Sequence, residues 1–200
     1  MSTQKRRYEL KARAEAQQAT RARIAAAAAA LHEEVGVGKT TVADIARRAG
    51  VQRLTVYNHF PDLQTLLPAC SAHWLGEHPL PDLEPALALA DPVQRLRAAL
   101  TALYGWYREN APMQRRVHGE RATVPELDVW MAQSSDALMA GLAATLSAGF
   151  DRPDARPLTA VALDFWTWQR LNREGLGDAA AAELMAGVVS GVGVTVAELA

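Results

Sequence analysis

The chain has 200 residues, half of them apolar and 22% charged, enough to bury a core and too apolar for a disordered chain. Its net charge of −1 is divided: residues 1–60 hold 11 Lys and Arg against 5 Asp and Glu, and residues 61–200 hold 10 against 17. Cys70 is the single cysteine, which rules out an internal disulfide and suits a reducing cytoplasm.

Residues 1–19 are polar and basic, a basic arm or an extension of the helix that follows. They lack an apolar core segment, so no signal peptide is expected. A basic end on an acidic body implies a polyanion partner for that end, or else a solvated tail. From Thr20 to Val35 a run of alanines with Ile24 and Leu31 predicts helix. Gly36 stops it.

Next comes Val35-Gly36-Val37-Gly38-Lys39-Thr40-Thr41, written like the end of a nucleotide phosphate loop. The full pattern fails: Glu33 stands where the first glycine belongs, and helix rather than strand precedes it. The glycines fit better as the end of one helix, with Thr40-Thr41 starting another. Thr41-Val42-Ala43-Asp44 is a capping box, so a short helix spans Val42 to Ala49, and Gly50 ends it. A second short segment, Val51 to Phe60, has apolar residues at Val51, Leu54, Val56, Tyr57 and Phe60. Pro61-Asp62 breaks it and opens a helix through Leu66, Leu67, Cys70 and Trp74. Cys70 reads as a small buried residue, with a redox role as the alternative.

A proline-rich linker, residues 77–92, follows. All five tryptophans lie from Trp74 onward. Helices are expected over 92–110, 113–121, 125–150, 154–174 and 179–199, punctuated by Pro112, Pro125, Pro153 and Gly175-Gly177. The apolar run 184–197 is too short to span a bilayer, so no membrane partner is expected. No period-two run long enough for a strand occurs. The expected fold is all-α with about nine helices: an amino-terminal segment over 20–76 and a larger helical segment over 93–200.

The two short helices meet through Ala49-Gly50-Val51 as a helix-turn-helix. The sequence Thr40-Thr41-Val42-Ala43-Asp44-Ile45-Ala46-Arg47-Arg48-Ala49-Gly50-Val51, then Thr55-Val56-Tyr57-Asn58-His59-Phe60, then Leu66-Leu67, closely resembles the tetracycline-repressor (TetR) family. That resemblance implies a homodimeric bacterial transcription regulator. Such a protein binds double-stranded operator DNA with its first helices and releases it when a small molecule enters the second domain.

Carried onto this chain, the resemblance places Lys39, Thr40 and Thr41 near DNA phosphate, where free N–H groups and the helix dipole favour an anion. Tyr57 and His59 match the family's phosphate-contacting pair, with Asn58 between them. Gln52, Arg53, Leu54 and Thr55 stand where bases are read. Arg53 suits guanine O6 and N7 or a phosphate, and Gln52 suits adenine N6 and N7. Three positions depart from the family pattern. Gln52 replaces the usual Ser or Thr cap. Leu54, in place of a small residue, meets a thymine methyl or crowds the backbone. Leu63 replaces a phosphate-binding lysine.

The resemblance also implies an effector cavity in the second segment. Leu100, Tyr104, Tyr107, Trp130, Met131, Ser134, Leu138, Phe165, Trp166 and Trp168 are its candidate walls, suiting an apolar or aromatic effector, although aromatics at helical spacing equally form core. Arg115, Arg116, His118 and Arg121 meet an anionic effector or form a solvated face. The last two helices are expected to pair with a second copy through Leu158, Val161, Ala162, Phe165 and Trp168 on one face. Gly187, Val188, Gly191 and Val194 or Val192 supply the other.

The enzyme motifs His-Glu-x-x-His and Gly-x-Ser-x-Gly are absent, and the five histidines show no metal spacing. No catalysis, cofactor or metal is expected.

Overall fold

The computed structural model describes residues 3–191, and every regular element among them is helical. Contacts divide the chain into two compact units. The first runs through Pro79 and includes Arg115–Trp130; the second holds Leu80–Gln114 and the residues from Met131 onward. The linker thus falls at the first of three crossings between units; the other two have no such signal.

In the first unit, α1 (Thr3–Val35) continues through the basic segment. Residues 7–19 are exposed, and Ile24, Ala25, Ala27, Ala28, Ala29 and Leu31 are buried. Alanine both favours helix and lets neighbours approach, here α2 (Val42–Ala49) and α4 (Leu63–Glu77). α3 (Arg53–His59) packs against α2. Asp62 caps α4, its Oδ1 accepting from the Thr65 N–H at 2.8 Å.

The second unit starts with a four-residue helix, α5 (Glu84–Leu87), inside the linker. α6 (Pro92–Glu120) is one helix, where the sequence predicts a break before Met113. Pro112 is exposed, so water can reach the carbonyl that its missing N–H leaves open. Asn110 Nδ2 reinforces the preceding turn by donating to the Trp106 carbonyl at 2.8 Å.

Two predicted helices are each divided. Ser134, at φ −113° and ψ −87°, separates α7 (Pro125–Gln133) from α8 (Ser135–Leu146). Asp164 separates α9 (Ala155–Leu163) from α10 (Phe165–Arg173) and caps α10, accepting from the Thr167 N–H at 2.9 Å. This break is stabilised from α6: the Tyr104 and Tyr107 hydroxyls donate to the Ala162 and Leu163 carbonyls, each at 2.7 Å.

α11 (Asp178–Ser190) ends at Gly191, whose φ of 78° is left-handed; the rest of the helix predicted to 199 lies outside the described residues. With these differences the described residues hold eleven helical segments. The core of the second unit joins Leu96, Leu100, Leu103 and Tyr104 of α6 to Ala162, Phe165, Trp168, Ala186 and Val189.

Candidate nucleic-acid interface

α2 and α3 form the expected helix-turn-helix. The Thr41 hydroxyl accepts from the Asp44 N–H at 3.2 Å and donates to the Asp44 carboxylate at 2.5 Å. That bond, with Arg47 beside it, holds the Asp44 carboxyl below the usual carboxylate range. At the other end Gly50 adopts φ 66°, and the Val51 N–H reaches back to the Ala46 carbonyl at 3.0 Å. Only glycine takes this conformation at no steric cost. Gln52 makes no side-chain cap on α3, as its departure from Ser or Thr predicts.

Burial sorts α3 into two faces. Val56 and, just past its end, Phe60 are buried, at 1% and 3% exposure. Gln52, Arg53, Leu54, Tyr57 and Asn58 are exposed; Thr55 and His59 are half-buried. Leu54 is 67% exposed and Tyr57 50%, an unusual display of apolar surface on a seven-residue helix.

The nearby cations differ in what they already bind. Arg47 pairs with Asp44 at 2.6 Å and Arg48 with Glu34 at 2.8 Å. Arg21 of α1 donates to the His59 carbonyl at 2.7 Å and lies over the Phe60 ring. Among the described residues, no hydrogen bond or ion pair engages the head groups of Lys39 and Arg53. Thr40 Oγ1 donates to the Gly36 carbonyl at 2.7 Å, so both threonine hydroxyls are held within the protein. What remains open at the α2 N-terminus is Lys39 and the first two backbone N–H groups of the helix, those of Val42 and Ala43. Arg21 escapes a sequence reading because its partner lies 38 residues away.

The aromatic residues of the second unit cluster tightly. The Tyr107 ring is 5.4 Å from Phe165 and 5.8 Å from Trp168, centroid to centroid. Burial pushes both tyrosine hydroxyls well above their usual pKa, with the nearby Asp164 charge adding to it. Leu100, Tyr104, Tyr107, Phe165 and Trp168 belong to the core, and Met131 is buried. Ser134 and Trp130 are half-buried, while Leu138 and Trp166 are exposed.

Of the residues expected at a dimer surface, Phe165, Trp168 and Gly187 are buried within the protomer. Leu158 is half-buried, and Val161, Val188 and Gly191 are exposed. Val192 and Val194 lie outside the described residues. Among the described residues no helix is long and apolar enough to cross a membrane, and no group of three or more His, Cys, Asp or Glu is placed to hold a metal.

A glycine-hinged helix pair with an exposed second helix is the arrangement found in helix-turn-helix DNA-binding proteins. The sequence profile of the bacterial regulatory proteins of the tetR family matches residues 24–70, spanning this pair. HTH-type transcriptional regulators of Mycobacterium tuberculosis and Mycobacterium bovis are 32% identical over 149 residues, covering 72% of this chain and 76% of theirs. The chain therefore belongs to the tetR family and is a transcriptional regulator. A transcriptional regulator from Rhodococcus sp. Rha1 shares the fold, with a TM-score of 0.59 at 23% identity over 86% of this chain and 98% of that one. A TetR-family regulator from Rhodococcus sp. does so with a TM-score of 0.60 at 19% identity over 88% and 98%.

Proposed function

We propose that this regulator is a repressor. It binds operator DNA as a homodimer through α2 and α3, and a small apolar or aromatic effector in the second unit releases it. The observation that carries the DNA-binding assignment is the outer face of α3, where Gln52, Arg53, Leu54, Tyr57 and Asn58 are exposed and the Arg53 head group is unengaged. A buried anchor at Val56 and Phe60 fixes the helix that carries this face, so its exposed side chains rather than its backbone are what binding must order. Lys39 and the α2 N-terminus supply the phosphate contacts.

The effector reading rests on the aromatic cluster around Tyr107, Phe165 and Trp168. α6 contributes to both units, ending in the first and packing its Leu96–Tyr107 stretch in the second. It is one of the three chain crossings by which a ligand in one unit reaches the other.

The test is selection of duplexes from a random-sequence pool by the purified protein, followed by a screen of small aromatic and fatty compounds for release. Tryptophan fluorescence follows effector binding. Recovery of a two-fold symmetric sequence is expected. Enrichment of no sequence would remove the DNA reading, and release by no apolar compound would remove the effector reading.

A further inference from the structure

One of the two glycines ahead of Lys39 does hold an anion, and it is a carboxylate of the chain itself. Glu120, the last residue of α6, accepts from the Gly38 N–H at 3.0 Å. Gly36 has φ 94°, a left-handed backbone that favours glycine, and a Cβ there would lie 1.9 Å from Glu120 Oε1 and push that carboxylate aside. One turn earlier, Arg116 donates from Nε to the Glu33 carbonyl at 2.6 Å and from Nη2 to the Glu34 carbonyl at 2.5 Å. These are among the final carbonyls of α1, which have no partner within the helix. Arg116 and Glu120, four residues apart, share one face of α6.

Residues 33–41 are thus fixed at three points: two carbonyls by Arg116, one amide by Glu120, and the Gly36 carbonyl by Thr40. The next residues outward are Lys39 and Thr41, at the N-terminus of α2. A loop with two glycines has the greatest backbone freedom to lose when it meets a ligand. Gly38 is exposed, so water can replace Glu120 at its N–H with little effect on folding, while the loop's position is lost.

We propose that Glu120 and Arg116 are positioning residues for DNA binding. They set the Val35–Thr41 loop so that Lys39 and the first turn of α2 are already placed for phosphate. The proposal rests on the assignment of α2 and α3 to DNA, and it gives the phosphate-loop-like motif a role that needs no nucleotide.

The experiment compares wild type, Glu120→Ala and Glu120→Gln. The readouts are amide hydrogen exchange at residues 36–41, thermal melting, and affinity for a duplex selected from a random pool by the wild type. Glu120→Ala is expected to exchange faster at Gly38, to melt near the wild type, and to bind about tenfold more weakly per half-site, the cost of fixing roughly one residue's backbone on binding. Glu120→Gln keeps an acceptor for the Gly38 N–H and is expected to restore binding. Unchanged exchange in Glu120→Ala overturns the clamp itself. Faster exchange with unchanged affinity overturns the positioning role. A melting loss that accounts for the whole affinity loss, without rescue by glutamine, reduces Glu120 to a folding contact. If the wild type selects no duplex, the DNA assignment fails and the positioning role fails with it, while the exchange data still decide whether the clamp exists.

Discussion

The guanidinium of Arg21 lies over the Phe60 ring, 4.0 Å from its centroid, while its Nη1 donates to the neighbouring His59 carbonyl. One side chain of α1 thereby holds the C-terminal end of α3 and covers the aromatic residue that anchors it. Arg21→Ala removes a cation–π contact and a charged hydrogen bond. A loss of about 1–2 kcal/mol is expected, read as a lower urea midpoint with unchanged slope. Arg21→Lys should recover only part, because an ammonium cannot stack flat on the ring while reaching the carbonyl. Full recovery by lysine would show that charge alone matters at this contact.

Arg53 is the exposed, unengaged cation at the start of α3. If it reads a base, Arg53→Ala weakens binding by ~1–3 kcal/mol per half-site and relaxes preference at one position. A phosphate contact instead lowers affinity about equally for every sequence. Binding of both proteins to single-base variants of the selected duplex separates the two.

His32 gives the fold a pH dependence. It is buried beside Cys70, with Nδ1 3.6 Å from Sγ, and burial lowers its pKa to about 4 against the opposing pull of Glu120. The folded value lies below the unfolded one, so between pH 6.5 and 4 the unfolded chain takes up a proton that the native state refuses. Stability is therefore fully present above pH 6.5, falls as pH drops towards 4, and levels off below it. The interval corresponds to about 3 kcal/mol. His32→Gln should remove this component. Urea unfolding of both proteins at pH 7 and pH 4.5 tests it, since shared carboxylate effects cancel in the difference. Equal pH losses in the two proteins would rule out His32 as the source.

For dimerisation, exposed apolar residues are the informative sites. Val188 on α11 is 42% exposed and Val161 on α9 50%. Val188→Glu leaves the protomer core intact and places a charge on the surface offered to a second copy, so sedimentation should show monomers and weaker operator binding through lost avidity. An unchanged dimer would move the interface elsewhere. Gly191→Arg is a poorer probe: the left-handed backbone there, and Arg152 Nη1 lying 2.9 Å from where a Cβ would stand, make it a test of the helix cap.

Local signals in the sequence translate directly into structure. Thr41 and Asp44 form the capping box, and Gly50 makes the left-handed turn, because both depend on residues within a few positions. The exposed face of α3 follows from its spacing and its family likeness. Elements fixed by distant partners are hidden. Asp164 breaks a helix without glycine or proline, and its flanking carbonyls are satisfied by Tyr104 and Tyr107, more than fifty positions earlier. Gly36 ends α1 as its place in the sequence predicts, while the carboxylate that holds the Gly38 N–H is 82 residues away. Aromatic spacing alone does not separate core from cavity wall: Tyr104 and Phe165 prove fully buried, and Trp166 and Leu138 prove exposed.

The last prediction concerns how many phosphates the protein neutralises. Leu63 is the first residue of α4, half-buried after the Asp62 cap, where the family often has a phosphate-binding lysine. Its position lets a lysine stem lie along the protein while the ammonium reaches outward. Leu63→Lys should therefore strengthen binding to selected and random DNA alike. Each added phosphate contact steepens the fall of log affinity with log salt by about 0.9, so roughly 1.8 for a dimer. The α1 extension acts in the same direction: residues 7–19 are exposed, and Lys5, Arg6, Arg7, Lys11 and Arg13 precede the first buried turn. Deleting residues 1–13 should flatten the slope. Thermal melting of Leu63→Lys comes first, because a lysine that buries its charge would lower stability and mask the gain. A stable variant with an unchanged salt slope would show that the start of α4 faces away from the DNA backbone and that the basic extension carries this electrostatic contribution alone.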